Sequence, residues 1–155
     1  EAIVPASDRF IKVEAEIGRW MGGAKASQLA TNGWSTFEWL HFLRHLPSGL
    51  APERMDDLDE AFQFTASGNA EVAAAWFEVC FNNGYRKPYE SMDRFLTSVG
   101  RRKFLLPLYT ALARTESGRQ EALVIYAKAR PNYHSVSVRT IDELLGWEKV
   151  SSVSM

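Results

Sequence analysis

The segment SVGRRKFLLPLY, residues 98–109, carries three cationic side chains in a row, Arg101, Arg102 and Lys103. An arginine can bind a carboxylate through two parallel hydrogen bonds, and a lysine adds a compact positive charge. Three basic side chains on a surface turn can equally be solvated without any ligand. The residue types therefore allow a carboxylate or phosphate site, with a solvated turn as the alternative.

The expected start of the next helix decides which of these cations converge. Pro107 suits a helix that begins near Phe104, so the residues before it would be extended or turning. In an extended stretch alternate side chains point the same way, so Arg101 and Lys103 would converge while Arg102 faces elsewhere. They would lie at the positive end of the helix dipole. The anion-site hypothesis therefore rests on Arg101 and Lys103.

Two histidines one helical turn apart occur in HFLRH, residues 41–45. Zinc proteases use the pattern H-E-x-x-H, in which the glutamate activates a water molecule. Phe42 occupies the glutamate position here and cannot accept a proton. The remaining histidine, His134, is far along the chain, and no third ligand is marked in the sequence. We therefore expect no metal site in this chain, and the alternative is a zinc ion held by two histidines.

Length and composition are those of one globular domain. The chain has 155 residues, of which 46% are hydrophobic and 24% are charged, which is enough for a continuous core. A formal net charge of −1 gives no reason to expect a nucleic-acid or membrane partner. The single cysteine, Cys80, excludes an intrachain disulfide. The chain opens at Glu1 without a methionine, which favours a piece of a longer polypeptide.

Helical periodicity runs through nearly every segment, and no convincing strand alternation is present. Ser35 and Glu38 form a capping box that begins a helix, and its inward side chains are predicted to be Phe37, Leu40, Leu43 and the Phe42–Leu46 pair. A later helix is predicted to be capped by Ser117 and Gln120. A cluster of acidic residues predicts a solvated helix face rather than a calcium site; its members are Asp56, Asp57, Asp59 and Glu60.

The predicted helix starts near residues 35, 69 and 104 recur at intervals of about 34 residues, each holding two helices. This spacing is typical of an α-α solenoid, in which each helix pair buries a face against the next pair. The predicted fold class is all-α, a two-layer α-α superhelix like those of armadillo and HEAT repeats, with about eight helices. The alternative is an irregular helical bundle, because the pairs do not resemble each other in sequence.

Residues from about 58 to 138 resemble the C-terminal helical domain of leukotriene A4 hydrolase and related zinc aminopeptidases. The resemblance is carried by FQFTASGNAEVAAAWFEVCFNNGY, TSVGRRKFLLPLY and ALVIYAKARPNYHSV, and the element G-R-x-K-F followed by P-L is the most specific. It implies a two-layer helical coil that packs against a zinc-bearing catalytic domain and closes one side of its cleft. It also implies that Arg101 and Lys103 bind the free carboxylate of the substrate.

Two features depart from the family pattern. Ser135 stands where relatives often have proline, and residues 146–155 extend beyond the clear match. The family's zinc motif belongs to its catalytic domain and is absent here, so HFLRH is not a degenerate copy of it.

We therefore interpret residues 1–155 as the single C-terminal helical domain of a larger metallo-aminopeptidase, with residues 146–155 as a tail. Alone it is expected to have no catalytic activity, no cofactor and a cytoplasmic location. Its expected partners are the catalytic domain of the same polypeptide, which holds the zinc, and the C-terminal carboxylate of a peptide substrate. The alternative is a free-standing helical scaffold that binds a protein on its concave face. A metalloprotease domain encoded upstream of Glu1 would decide between them.

Overall fold

The computed structural model of the chain describes residues 6–147, with side chains from Asp8 onward. Over this range the chain forms eight α-helices and three short 3-10 turns, and it contains no strand. The prediction of an all-α chain with about eight helices is confirmed. The helices are α1 (Ala6–Met21), α2 (Thr36–Arg44), α3 (Pro52–Phe62), α4 (Ala70–Asn82), α5 (Tyr89–Ser98), α6 (Arg102–Leu112), α7 (Glu116–Ala129) and α8 (Ser135–Leu145).

The chain divides into two compact units, one ending at Asn83 and the other beginning at Gly84. Helices α1 to α4 belong to the first unit and α5 to α8 to the second. Among the residues described, no helix is both long and apolar enough to cross a bilayer. The assignment of residues 1–155 to one domain of a larger enzyme stays a prediction.

Of the predicted tail, residues 148–155 lie outside the described range. Gly146 ends α8 in the left-handed conformation, with φ at 64°. The next residue, Trp147, lies edge-on to Tyr126 with the ring centroids 5.1 Å apart. The beginning of the predicted tail therefore packs against α7 within the second unit.

In the first unit, α1 turns Val13, Ile17 and Trp20 into the core. The indole N–H of Trp20 donates to an Oδ2 atom of Asp57 at 2.8 Å, and the backbone N–H of Ala26 donates to the same oxygen at 2.9 Å. The prediction of a solvated acidic face is therefore wrong for Asp57. A buried indole needs an acceptor, and this half-buried carboxylate supplies it. The prediction is also wrong for Asp59, whose carboxylate accepts from the N–H and the hydroxyl of Thr65 at 2.9 and 2.7 Å.

The buried face of α2 differs from the predicted face at one position. Leu40, Phe42 and Leu43 are buried as expected, but Phe37 is 74% exposed. Successive residues of a helix are rotated by about 100° around its axis. The average direction of the buried side chains of α2 is therefore close to that of Trp39. Phe37 points roughly the opposite way, and the inward prediction for it is wrong.

The N-terminal cap of α7 also differs from the prediction. Thr115 is the capping residue, and its Oγ1 atom accepts a hydrogen bond from the N–H of Gly118 at 3.0 Å. Ser117, the predicted cap, lies inside the first turn and is exposed. The helix therefore begins two residues earlier than the capping-box pattern suggested.

Replacing Thr115 by alanine should lower the free energy of unfolding by about 1 kcal/mol. The reason is that the N–H of Gly118, which has no acceptor within the helix, loses the Thr115 hydroxyl as its acceptor. Ser117→Ala should change the free energy of unfolding by less than about 0.5 kcal/mol, since Ser117 is exposed and alanine has a slightly higher helix propensity than serine. Urea unfolding of both variants measures the difference. A larger loss for Ser117→Ala would contradict the cap seen in the structure.

Hydrogen bonds between residues 33–37 positions apart recur in both units. Each bond joins one helix pair to the next along the chain. The separation of the bonded residues is close to the interval of about 34 residues between the predicted helix starts. In the first unit the bonded residues are Trp20 with Asp57, Thr36 with Asn69, and Leu50 with Asn83. In the second they are Arg86 with Glu121, Asp93 with Lys128, Leu96 with Tyr133, and Gly100 with Ser137.

Candidate functional site

The three cations of the G-R-R-K-F segment lie at the start of α6. Arg101 caps the helix in an extended conformation, with φ −80° and ψ 125°, and α6 begins at Arg102. The carbonyl oxygen of Arg101 accepts from the N–H groups of Phe104 and Leu105 at 3.0 and 3.1 Å. The helix therefore starts two residues before the predicted position, and the extended stretch proposed for Lys103 is wrong.

Pro107 explains why the sequence pointed to a later start. It is the sixth residue of α6, inside the helix. Proline has no N–H to donate to the carbonyl oxygen four residues back, that of Lys103, and is therefore disfavoured within a helix. The bonds to the Arg101 carbonyl nevertheless fix the first turn upstream of it.

Arg101 and Lys103 converge on one aromatic ring, that of Phe104. The Cζ atom of Arg101 lies 5.8 Å from the ring centroid, and the Nζ atom of Lys103 lies 5.0 Å from it. Both distances are within the range of a cation–π contact. Phe104 is buried, whereas Arg101, Arg102 and Lys103 are exposed. Two positive charges therefore stand at solvent on the positive end of the α6 dipole.

The backbone just before the cations is fixed by α8. The hydroxyl of Ser137 donates to the carbonyl oxygen of Gly100 at 3.0 Å, and Ser137 is only 2% exposed. A Cβ atom at Gly100 would meet the ring of His134 at 4.0 Å. Ser137 could not be predicted from the sequence, because its partner is a backbone atom 37 residues away. Ser135 is the first residue of α8, the position where proline is also favoured.

Helix α6 itself is held by buried tyrosines. The hydroxyl of Tyr133 donates to the Leu96 carbonyl, so the hydroxyl of Tyr109 donates to Tyr133, with the two oxygens 3.0 Å apart. Burial raises the pKa of Tyr133 to about 12 and raises the pKa of Tyr109 further. Both hydroxyls therefore remain protonated at neutral pH and act as structural hydrogen-bond donors that hold α6.

A second arginine of this unit is occupied by a protein carboxylate. Arg130 donates to both carboxylate oxygens of Asp142, at 2.9 and 2.8 Å, and lines an open groove of about 820 Å³ beside α8. These hydrogen bonds from Arg130 lower the pKa of Asp142, and its burial opposes them. The hydroxyl of Tyr126 donates to Asp142 at 2.6 Å. An anion would have to displace Asp142 to reach Arg130.

A comparison with protein families matches residues 34–145 to the model described as "Leukotriene A4 hydrolase, C-terminal". Among curated proteins, the chain is 28% identical over 121 residues to "Aminopeptidase B" of Mus musculus, covering 76% of the chain and 19% of that relative. It is 27% identical over 116 residues to "Leucine aminopeptidase 2" of Neurospora crassa, covering 75% and 17%. The chain therefore spans less than a fifth of the length of these relatives.

Proposed function

Because the chain belongs to the leukotriene A4 hydrolase C-terminal family, we propose that it is the accessory helical domain of a zinc aminopeptidase. In this proposal the zinc ion and the catalytic groups lie in another domain of the same polypeptide, and the present chain closes one side of the active-site cleft. Two lines of support are the aminopeptidase names of the relatives and the small share of their length that the chain covers.

The proposed task of Arg101 and Lys103 is to bind the free carboxylate at the C-terminus of the substrate. The observation that carries this assignment is the placement of both cations over the Phe104 ring at the first turn of α6. A guanidinium group can donate two parallel hydrogen bonds to the two carboxylate oxygens, and an ammonium group adds a third contact. The dipole of α6 favours the same negative charge.

The Phe104 ring would orient Arg101 without using its hydrogen-bond donors. A cation–π contact attracts the positive charge to the ring face through the ring quadrupole, so it takes up none of the guanidinium N–H groups. The hydrogen bond from Ser137 to the Gly100 carbonyl fixes the backbone immediately before Arg101. Less conformational freedom is then lost when a carboxylate binds, which raises the affinity for it.

In the complete enzyme, these contacts would set the distance from the substrate carboxylate to the scissile peptide bond. With the carboxylate held by the helical domain, the N-terminal peptide bond of a short substrate would be held over the zinc. Holding the reacting groups in one geometry lowers the barrier because the entropy of alignment is lost on binding rather than in the transition state.

Amidation of the substrate C-terminus tests the carboxylate contact directly. In the complete enzyme, kcat/KM for a tripeptide amide should be roughly 30-fold or more below that for the free acid, because a charge-assisted contact is lost. Steady-state kinetics on the matched pair of peptides gives the ratio. A pair of much longer peptides serves as the control, because their C-terminus lies beyond the site. Equal turnover of the two tripeptides would contradict the assignment.

The complete open reading frame tests the broader proposal independently. An upstream segment with H-E-x-x-H would support the aminopeptidase assignment, since the chain has no such motif. A gene that encodes only this helical chain would favour the scaffold function instead. The two tests can fail separately: an aminopeptidase indifferent to amidation would keep the domain assignment and remove the role of Arg101 and Lys103.

A further inference from the structure

No third ligand for the two histidines of HFLRH is marked in the sequence, and the structure supplies one. Glu14 of α1 lies beside His41 of α2 and beside His45, the C-terminal cap of α2. One ligand atom from each of the three side chains lies within 4.8 Å of the other two. The reason for expecting no metal in this chain, two histidines without a partner, therefore no longer holds.

We propose that Glu14, His41 and His45 bind a divalent first-row transition-metal ion, with Zn²⁺ as the reference ion. Two imidazoles and one carboxylate are ligands that suit zinc, with water completing the coordination. Ligand atoms around a tetrahedral zinc ion lie about 3.4 Å apart, given bonds of about 2.1 Å. The Nε2 atom of His41 and the Oε1 atom of Glu14 are already 3.1 Å apart.

The hydrogen bond of His45 sets which of its nitrogens can bind a metal. Its Nδ1 atom lies 2.8 Å from the carbonyl oxygen of His41. A carbonyl oxygen only accepts, so Nδ1 carries the hydrogen and the lone pair of the neutral ring is on Nε2. A ligating histidine commonly donates its other N–H to a backbone carbonyl, which fixes the tautomer and the ring orientation. His45 therefore has this supporting contact before any metal binds.

His41 is held between two rings. Phe10 stacks on it with a centroid distance of 4.3 Å and an interplanar angle of 2°, and His45 stacks on it at 3.8 Å and 24°. The side chain of His41 is 15% exposed, whereas that of Glu14 is 54% exposed. The imidazole is thus oriented by packing, and the carboxylate is the ligand that can move to complete the site.

Metal binding at His41 requires the hydrogen to leave Nε2. In a neutral ring it shifts to Nδ1, and a protonated ring releases it to solvent, so binding to the protonated form liberates one proton. The metal then replaces the hydrogen bond between His41 and Glu14. Since Glu14 is on α1 and the histidines lie at the C-terminal end of α2, the ion cross-links two helices of the first unit. Phe42 provides no base, so the role is binding rather than hydrolysis.

Titration of the 155-residue chain with Zn²⁺ against a chromophoric chelator tests the site. We expect one ion per chain, and Glu14→Gln and His45→Ala should each weaken binding at least tenfold, comparable with the loss of an outer-shell partner. His134→Ala is the matched control, because it removes a histidine from the second unit and should leave the affinity unchanged. Zn²⁺ should also raise the thermal unfolding midpoint of the wild type and not that of Glu14→Gln.

Circular dichroism checks that each variant is folded. If His45→Ala does not fold, Glu14→Gln decides, because it changes one atom of an exposed side chain. Wild-type affinity in Glu14→Gln would overturn the three-ligand site. A loss in His134→Ala equal to that in His45→Ala, or no ion retained by the wild type, would overturn it as well.

Discussion

Replacing Arg101 by alanine in the complete enzyme is expected to lower kcat/KM for free-acid tripeptides by roughly 30- to 900-fold. This range corresponds to about 2–4 kcal/mol, the usual cost of removing one partner of a partly desolvated, charge-assisted contact. Arg101→Lys should be nearly as damaging, because the positive charge remains but the two-pronged geometry does not. Both variants are measured by steady-state kinetics.

Arg102→Ala is the matched control for this series. It removes the same side chain from the adjacent position, which is also exposed, while Arg101 and Lys103 keep their places over Phe104. We expect kcat/KM within about twofold of the wild type, the range of surface substitutions. Amidated tripeptides should abolish the Arg101→Ala penalty. An unchanged kcat/KM in Arg101→Ala, or a worse defect in Arg102→Ala, would show that the carboxylate is bound elsewhere.

Replacing Gly118 by alanine is expected to destabilise the second unit by about 3 kcal/mol or more. A Cβ atom there would lie 2.2 Å from the carbonyl oxygen of Leu112 and 2.8 Å from the Oγ1 atom of Thr115. Overpacking of this kind forces backbone shifts that cost about 1–3 kcal/mol or more, and the clash also disturbs the Thr115 cap. Helix propensity alone would favour alanine over glycine by about 1 kcal/mol. The sign of the change in the free energy of unfolding therefore shows whether the steric clash or the helix propensity dominates.

Gly68→Ala provides the comparison for Gly118→Ala. An added Cβ at Gly68 meets nothing within 4 Å, so the free energy of unfolding should change by less than about 0.5 kcal/mol. Urea unfolding, monitored by circular dichroism, measures both variants. If Gly118→Ala were as stable as the wild type, the close approach of α6 and α7 at this point would be wrong.

The helices were predictable from the sequence because burial repeats with the helical period. Val13, Ile17 and Trp20 follow that period and are buried, and the family resemblance is confirmed by the match over residues 34–145. Phe37 was misassigned because its spacing from Leu40 fits the same period. Glu38 and Phe42 are also buried, so the inner face of α2 lies on the side of the helix away from Phe37.

The helix starts were less predictable than the helices because competing caps look alike in sequence. Ser117 with Gln120 fits a capping box, but Thr115 caps α7, and nothing local to the sequence separates the two. The start of α6 was inferred from Pro107 alone, whereas the carbonyl of Arg101 accepts the first helical bonds. Local pattern thus placed each of these starts only to within two residues.

Contacts between distant positions could not be predicted from the sequence. The cations Arg101 and Lys103 were found because they lie two residues apart in one motif. Ser137, which holds the Gly100 carbonyl, and Glu14, which approaches the histidines, each lie at least 27 residues from their partners. Their side chains carry no signal of their own, since serine and glutamate are ordinary on exposed helices. Only the packing of the helices reveals their roles.

The hydrogen bonds at 33–37 residues have a consequence for how this chain folds and evolves. Each pair closes a loop of nearly the same length, so the entropic cost of forming one bond resembles that of the next. Assembly can then proceed between sequence neighbours without first joining the chain ends, as in other repeat proteins. A one-residue deletion inside a helix changes the separation of every hydrogen-bonded pair whose two residues lie on either side of the deletion. The gain or loss of a whole helix pair keeps the remaining partners in register, so such a chain can change length by duplication.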